Sequence, residues 1–190
     1  MESTSYTNAD LLQEIKADFP GFDKEEILDY TKFVIPNMHF FLKQGKNEQL
    51  KKYCTEEILN KILNNKEIFR ISPDIDTARV GYARIQGYKN ENEEIYIKVY
   101  TSIFFYDDIE NNEIIDEKYN FDKYWNDIWE ITFEGNFGKD IITTCPFCKS
   151  QMKYNHSKHM YTCENCKDSL YYSQIKWKIA DIEVNKVTYK

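Results

Sequence analysis

Four of the chain's five cysteines stand in two pairs, Cys145-x2-Cys148 and Cys163-x2-Cys166, with fourteen residues between the pairs. A CxxC turn is tight enough for both sulfurs to reach one ion. Two such turns complete a tetrahedron of thiolates, each about 2.3 Å from a zinc ion. Pro146 favours the first turn, and the aromatic and basic residues between the pairs suit the short strands of a zinc ribbon. The site is small and no redox partner motif accompanies it, so one Zn2+ is expected rather than iron. Four thiolates leave no position for an activated water, so that zinc is structural. Two readings compete. A redox CxxC opens a helix in a βαβ setting, which is missing here. Paired disulfides belong to an oxidising compartment. His156 and His159 lie between the pairs and could replace a cysteine or build a second site. Four thiolates already saturate one zinc, and a solvent-facing hairpin tip is the simpler place for both.

Other chemistry is thinly represented. Asp107 and Asp108 follow an aromatic run and are candidate cavity carboxylates, because apolar walls would raise their pKa. Asp122, Asp127, Glu130 and Glu134 are further acids, with Tyr96, Tyr100, Tyr106 and Tyr124 as companions. Each has an ordinary strand end or solvated sheet face as its simpler reading. HExxH, GxSxG and Walker elements are absent. With only 6 glycines and no glycine-rich strand-to-helix turn, no phosphate-cradling loop is available. His39, next to two phenylalanines, reads as a core histidine, and Cys54 as a small buried hydrophobe.

The net charge of −7 argues against gripping nucleic acid by bulk electrostatics. The charge is uneven: residues 143–190 hold 8 Lys and 4 Asp/Glu, a balance of +4 that leaves −11 for the rest. Lys149, Lys153, Lys158, Lys167, Lys176 and Lys178 are therefore the candidate docking surface. No basic segment followed by an apolar run opens the chain, so no signal peptide is expected. The most apolar window, residues 33–42, is too short to span a bilayer and contains Pro36. These features, with reduced cysteines, predict a cytoplasmic protein.

The elements that must position these residues follow from periodicity. A short helix starts near Asn8 and ends before Pro20-Gly21. Asp23 caps a second helix, with Glu26 as the reciprocal cap. Ile27, Tyr30, Phe33, Val34, Met38, Phe41 and Leu42 repeat along it at helical spacing. Pro36 should bend or split it, and Gly45 ends it. A further helix starts near Glu48, and Thr55 caps another that carries Ile58, Leu59, Ile62 and Leu63. The period then changes to two. Strands are expected over 67–71, 76–88, 93–107, 123–133 and 171–182, with a hairpin turn in YKNENEE and an acidic excursion over 108–121. Helices first and antiparallel strands after them predict an α+β layer fold, with helices on one face of a curved sheet.

In this order the residues resemble the translocase-of-inner-membrane subunit 44-like domain family. The resemblance rests on Phe19-Pro20-Gly21-Phe22, on Thr55-Glu56-Glu57-Ile58, and on the hairpin ARVGYARIQGY with EEIYIKVYTSIFFYDD. It continues through FDKYWNDIWEITFEG, with Trp125 or Trp129 in the tryptophan role, and QIKWKIADIEV, through Trp177, Ile179 and Ile182. It spans residues 15–183 and implies a cone-shaped α+β roll of the nuclear transport factor 2 type. Bacterial members carry a CxxC insert between the last two strands, where Cys145 to Cys166 falls. The tryptophan strand departs from the family pattern: Glu134 or Gly135 stands in place of an arginine. The expected organisation is a roll over 7–142 and 171–185, a zinc-ribbon insert over 143–170, and flexible tails at 1–6 and 186–190. The expected function is a non-enzymatic, zinc-containing binding or scaffold module, engaging a protein, a peptide or a lipid, with peripheral membrane contact compatible. The alternatives are a small-molecule enzyme using the roll cavity and weak nucleic-acid binding through the ribbon.

Overall fold

A computed structural model describes residues 8–71, 77–91, 94–106, 124–135, 144–145, 147–155, 160–171 and 176–186. The N-terminal third is helical: α1 (Asn8–Asp18), α2 (Lys24–Lys43), a 3-10 segment (Asn47–Lys52) and α3 (Glu56–Asn64). Asp23 accepts from the Glu25 backbone N–H at 2.9 Å and Thr55 from that of Ile58 at 3.4 Å, so both expected caps form. Gly45, with φ +66°, takes the left-handed conformation that stops α2. Glu26 does not close the reciprocal cap. Its carboxylate pairs instead with Lys176 at 2.5 Å, a partner 150 residues away. Pro36 does not split α2. The carbonyl of Phe33, in the turn before it, accepts from the side-chain amide of Asn37 at 2.7 Å.

Strands β1 (Thr77–Glu91), β2 (Glu94–Tyr106), β3 (Tyr124–Gly135) and β7 (Trp177–Lys186) form one antiparallel sheet in the order β1-β2-β3-β7. On β2 the alternation is regular: Ile95, Ile97, Val99, Thr101, Ile103 and Phe105 are buried, and the residues between them face the other way. α2 lies across the buried face. Tyr30 packs on Phe133, His39 on Phe105, and Phe22 of the preceding turn on Trp177. Register shifts between Val80 and Tyr82, between Ile85 and Gly87, and opposite Thr132–Phe133 insert extra residues and bend the strands locally. At the first, a side-chain carbon on Gly81 would fall 2.2 Å from the Phe104 ring, so only glycine fits beneath it. Among the described residues no helix is long and apolar enough to cross a membrane.

Two expected strands are placed differently. Residues 67–71 form turns after α3, because their backbone groups bond locally: Ile68 to Asn65, Arg70 to Glu67 and Ile71 to Lys66. That leaves nothing for a ladder. The last strand of the sheet begins at Trp177 rather than residue 171. Ser169–Tyr171 instead becomes β6 of a second, three-stranded sheet with β4 (Met152–Asn155) and β5 (Met160–Cys163), in the order β4-β5-β6. Leu170 packs there against Cys145, Met152 and Cys163, which explains why this segment stays with the cysteines.

Candidate metal centre

Each CxxC pair folds as a knuckle, and the two knuckles repeat each other. The sequences CPFCKS and CENCKD carry Lys at the same place, and both lysines are left-handed: Lys149 at φ 61° and Lys167 at φ 63°. The Cys145 N–H bonds the Ser150 carbonyl at 2.9 Å, and the Cys163 N–H bonds the Asp168 carbonyl at 2.8 Å. The left-handed residue turns the chain so that the next N–H points at the second sulfur of its knuckle. Ser150 supplies that donor to Cys148, and Asp168 supplies it to Cys166. This is how two separate turns offer their sulfurs inward.

The four Sγ atoms lie within 4.8 Å of one another. Across the knuckles, Cys145 and Cys166 stand 3.5 Å apart and Cys148 and Cys163 3.4 Å apart. Four sulfurs at about 2.3 Å from one ion would be about 3.8 Å apart, so the cluster has the size of a tetrahedral thiolate site. All five cysteines are free thiols, and sulfurs at these separations are not disulfides. The Ser150 hydroxyl and backbone N–H draw the Cys148 thiol down to about 5. The Asp168 N–H acts in the same sense on Cys166, but desolvation and the three neighbouring sulfurs outweigh it and hold that thiol near 12. Packed sulfurs cannot all ionise without a cation among them, and a metal ion relieves that conflict. Cys145 and Cys163 are buried, Cys148 is half-buried and Cys166 is exposed. The four thus form a cluster able to coordinate one metal ion.

The ribbon meets the main sheet's side of the molecule through Lys52, at the end of the 3-10 segment. Its ammonium bonds Asp168 of the second knuckle at 2.9 Å and lies 5.2 Å over the Phe147 ring of the first. Lys178 of β7 holds the same segment from the other side, donating to the carbonyls of Lys51 at 3.4 Å and Lys52 at 2.5 Å. Burial lowers the Lys178 ammonium to about 8, against an ordinary value of 10.5.

These contacts correct the candidate docking surface. Lys176 is buried: its ammonium bonds Glu26 and lies over the rings of Phe19 and Trp177. Lys178 is spent on backbone carbonyls. Neither belongs to a solvent-facing basic patch, because both sit where β7 packs against the helical layer. Lys149, Lys153 and Lys167 are exposed on the ribbon, with Lys153 paired to Glu164 and Lys167 bonded to the Glu164 carbonyl. Lys158, His156 and His159 lie outside the described residues, as do the candidate carboxylates Asp107 and Asp108.

Elsewhere three titratable side chains, Asp127, His39 and Cys54, are committed within the fold. Asp127 is fully buried and accepts both arms of Arg70 at 2.9 Å. His39 is buried with Nε2 3.3 Å from the Arg70 carbonyl, and burial holds its pKa down. Cys54 donates to the Leu50 carbonyl at 3.3 Å, and burial raises its thiol to about 12, as expected of a hydrophobic filler. A shallow hollow of about 390 Å³ lies at one end of the sheet, lined by Gly87, Tyr96, Lys98, Thr132 and Asp181 among others. The Lys52 and Arg70 contacts were not foreseen from sequence.

No family model matches the chain, and neither the curated proteins nor the solved structures that were searched contain a match.

Proposed function

We propose that the protein is a non-enzymatic binding or scaffold module in which one structural zinc holds a ribbon beside an α+β roll. One observation carries this reading: four thiolate donors converge at tetrahedral spacing, which fills the coordination shell of a single zinc and leaves no site for a reacting water. The commitments of Asp127 to Arg70 and of His39 to a carbonyl support it, since neither side chain is left to act as acid or base. The strand bulges support a curved, roll-like sheet, and the ribbon's place between β3 and β7 supports the resemblance to the bacterial translocase-like domains. The docking face in this reading is the ribbon, through Lys149, Lys153 and Lys167 with Lys158, and its partner is a protein, a peptide or a lipid headgroup.

The test is replacement of the bound metal by cobalt. Four-thiolate coordination gives an intense sulfur-to-cobalt absorption that added cyanide or azide leaves unchanged. Native mass spectrometry of protein purified without added metal should find one zinc per chain. A cobalt spectrum that shifts with added anion would reveal an open position and replace the structural reading with a catalytic one. Two disulfides and no metal would remove the zinc altogether.

A further inference from the structure

The helical layer covers one face of the main sheet. The opposite face carries Arg79, Tyr82 and Arg84 on β1 and Lys98, Tyr100 and Phe104 on β2, while β3 and β7 present Glu130 and Glu183 among uncharged residues such as Ile128 and Thr132. Along one row its charge is sorted across the strands. One register row runs Arg84, Tyr100, Glu130, Glu183 from β1 to β7, positive at one edge and negative at the other. Arg84 lies 5.0 Å over the Tyr100 ring and Arg79 5.8 Å over that of Tyr106. Among the described residues neither arginine has a carboxylate in ion-pair range. At the far edge Lys98 serves Glu130 at 3.1 Å and Glu183 at 3.5 Å. One ammonium between two carboxylates leaves a net negative charge, and the Glu183 side chain is 56% exposed.

We propose that this face pairs with the same face of a second copy of the chain, about a twofold axis parallel to the strands. A closed dimer uses one patch twice, so the patch must complement itself under the rotation. An axis across the strands would set β1 on β1 and oppose like charges. An axis along them sets β1 on the partner copy's β7, so each Arg84 meets a Glu183–Glu130 pair, twice per dimer. The size also fits. Four strands about 4.8 Å apart and about twelve residues long offer on the order of 750 Å² per copy, close to the roughly 800 Å² per partner of a standard stable interface. Tyr and Arg, which dominate the β1–β2 half, are the residue types enriched in interface cores, and Tyr82 is 54% exposed there. This pairing does not depend on the zinc reading.

Sedimentation velocity on the full metal-loaded chain tests it. A dimer is expected in low salt at tens of micromolar, and raising salt to about 0.5 M should weaken it, as screening shortens the reach of charge. Arg84→Glu and Glu183→Arg should each weaken association at least tenfold, and the two together should restore it. Arg84→Gln and Glu183→Gln serve as milder variants, and far-UV circular dichroism checks that each variant is folded. A monomer at every concentration up to about 0.2 mM, where even an affinity of about 8 kcal/mol would be mostly dimeric, overturns the proposal. So does a dimer that ignores the charge reversals, or a double variant that stays as weak as the singles.

Discussion

Removing the metal should melt the ribbon and leave the main sheet standing. The ribbon's buried core is Cys145, Met152, Cys163 and Leu170. Among the described residues Met152 and Leu170 are its large apolar side chains fully out of water, at about 1.5–3 kcal/mol each, or about 3–6 kcal/mol together. Its three strands contain 4, 4 and 3 residues. Fixing those backbones costs about 1–2 kcal/mol per residue, on the order of 11–22 kcal/mol. Strand hydrogen bonds recover part of this, but the rest exceeds what two side chains supply. Zinc bound by four thiolates contributes about 10–16 kcal/mol, which covers the difference. The main sheet has a separate core, with Ile97, Val99, Ile103, Phe105, Ile131 and Phe133 all fully buried.

The assay is amide hydrogen exchange before and after chelation under reducing conditions, with metal content measured alongside. Amides of Met152–Asn155 and Met160–Cys163 should lose protection on chelation, while those of β2 and β3 keep theirs. Thiol labelling provides a count: four cysteines become reactive and Cys54, buried beside β7, does not. Ribbon amides that stay protected in metal-free protein would refute the energetic argument. A single transition that unfolds both sheets together would refute the claim that the ribbon depends on metal separately.

Two further outcomes follow from buried charge. Asp127→Ala removes the buried carboxylate that Arg70 bonds, which should cost about 3–5 kcal/mol and lower the thermal midpoint by about 6–20 °C. The combination Arg70→Met with Asp127→Leu should recover most of that loss in urea melts, because no charge is then buried. Lys178 supplies a pH dependence. Burial holds its folded pKa near 8, below the ordinary 10.5, so the cost of a buried ammonium is paid in full below pH 8. Between pH 8 and 10.5 the folded state sheds the proton before the unfolded chain does. Stability should therefore rise through that window by about 3 kcal/mol relative to Lys178→Met, measured by denaturant melts at each pH. A flat difference between the two proteins would show that the ammonium is better solvated than its surroundings imply.

The cysteine cluster was legible because a pair of knuckles is written in local spacing: a knuckle needs only its own few residues, and two of them need only a short loop. The caps at Asp23 and Thr55 and the alternation of β2 were legible for the same reason, since each is a contact within a few positions or a simple period. Glu26 shows where that logic stops. Three residues after a cap it promises a capping box, yet a lysine 150 residues away holds it more strongly. Residues 67–71 have strand-like composition but turn instead, because Arg70 has a buried carboxylate to reach on β3.

By itself the sequence determined the helix-then-sheet order, the four cysteines that cluster, and the absence of a nucleotide loop or a hydrolase motif. Tertiary structure decided which charges face water. Lys176 and Lys178 share a basic segment with Lys149 and Lys167, and only the packing of β7 against the helical layer removes them from the surface. The sorting of charge along the Arg84–Glu183 row was equally invisible, because the two residues are 99 positions apart and meet in one row only through strand register. Periodicity tells which face a side chain takes; the neighbours on that face are set by pairing between distant strands.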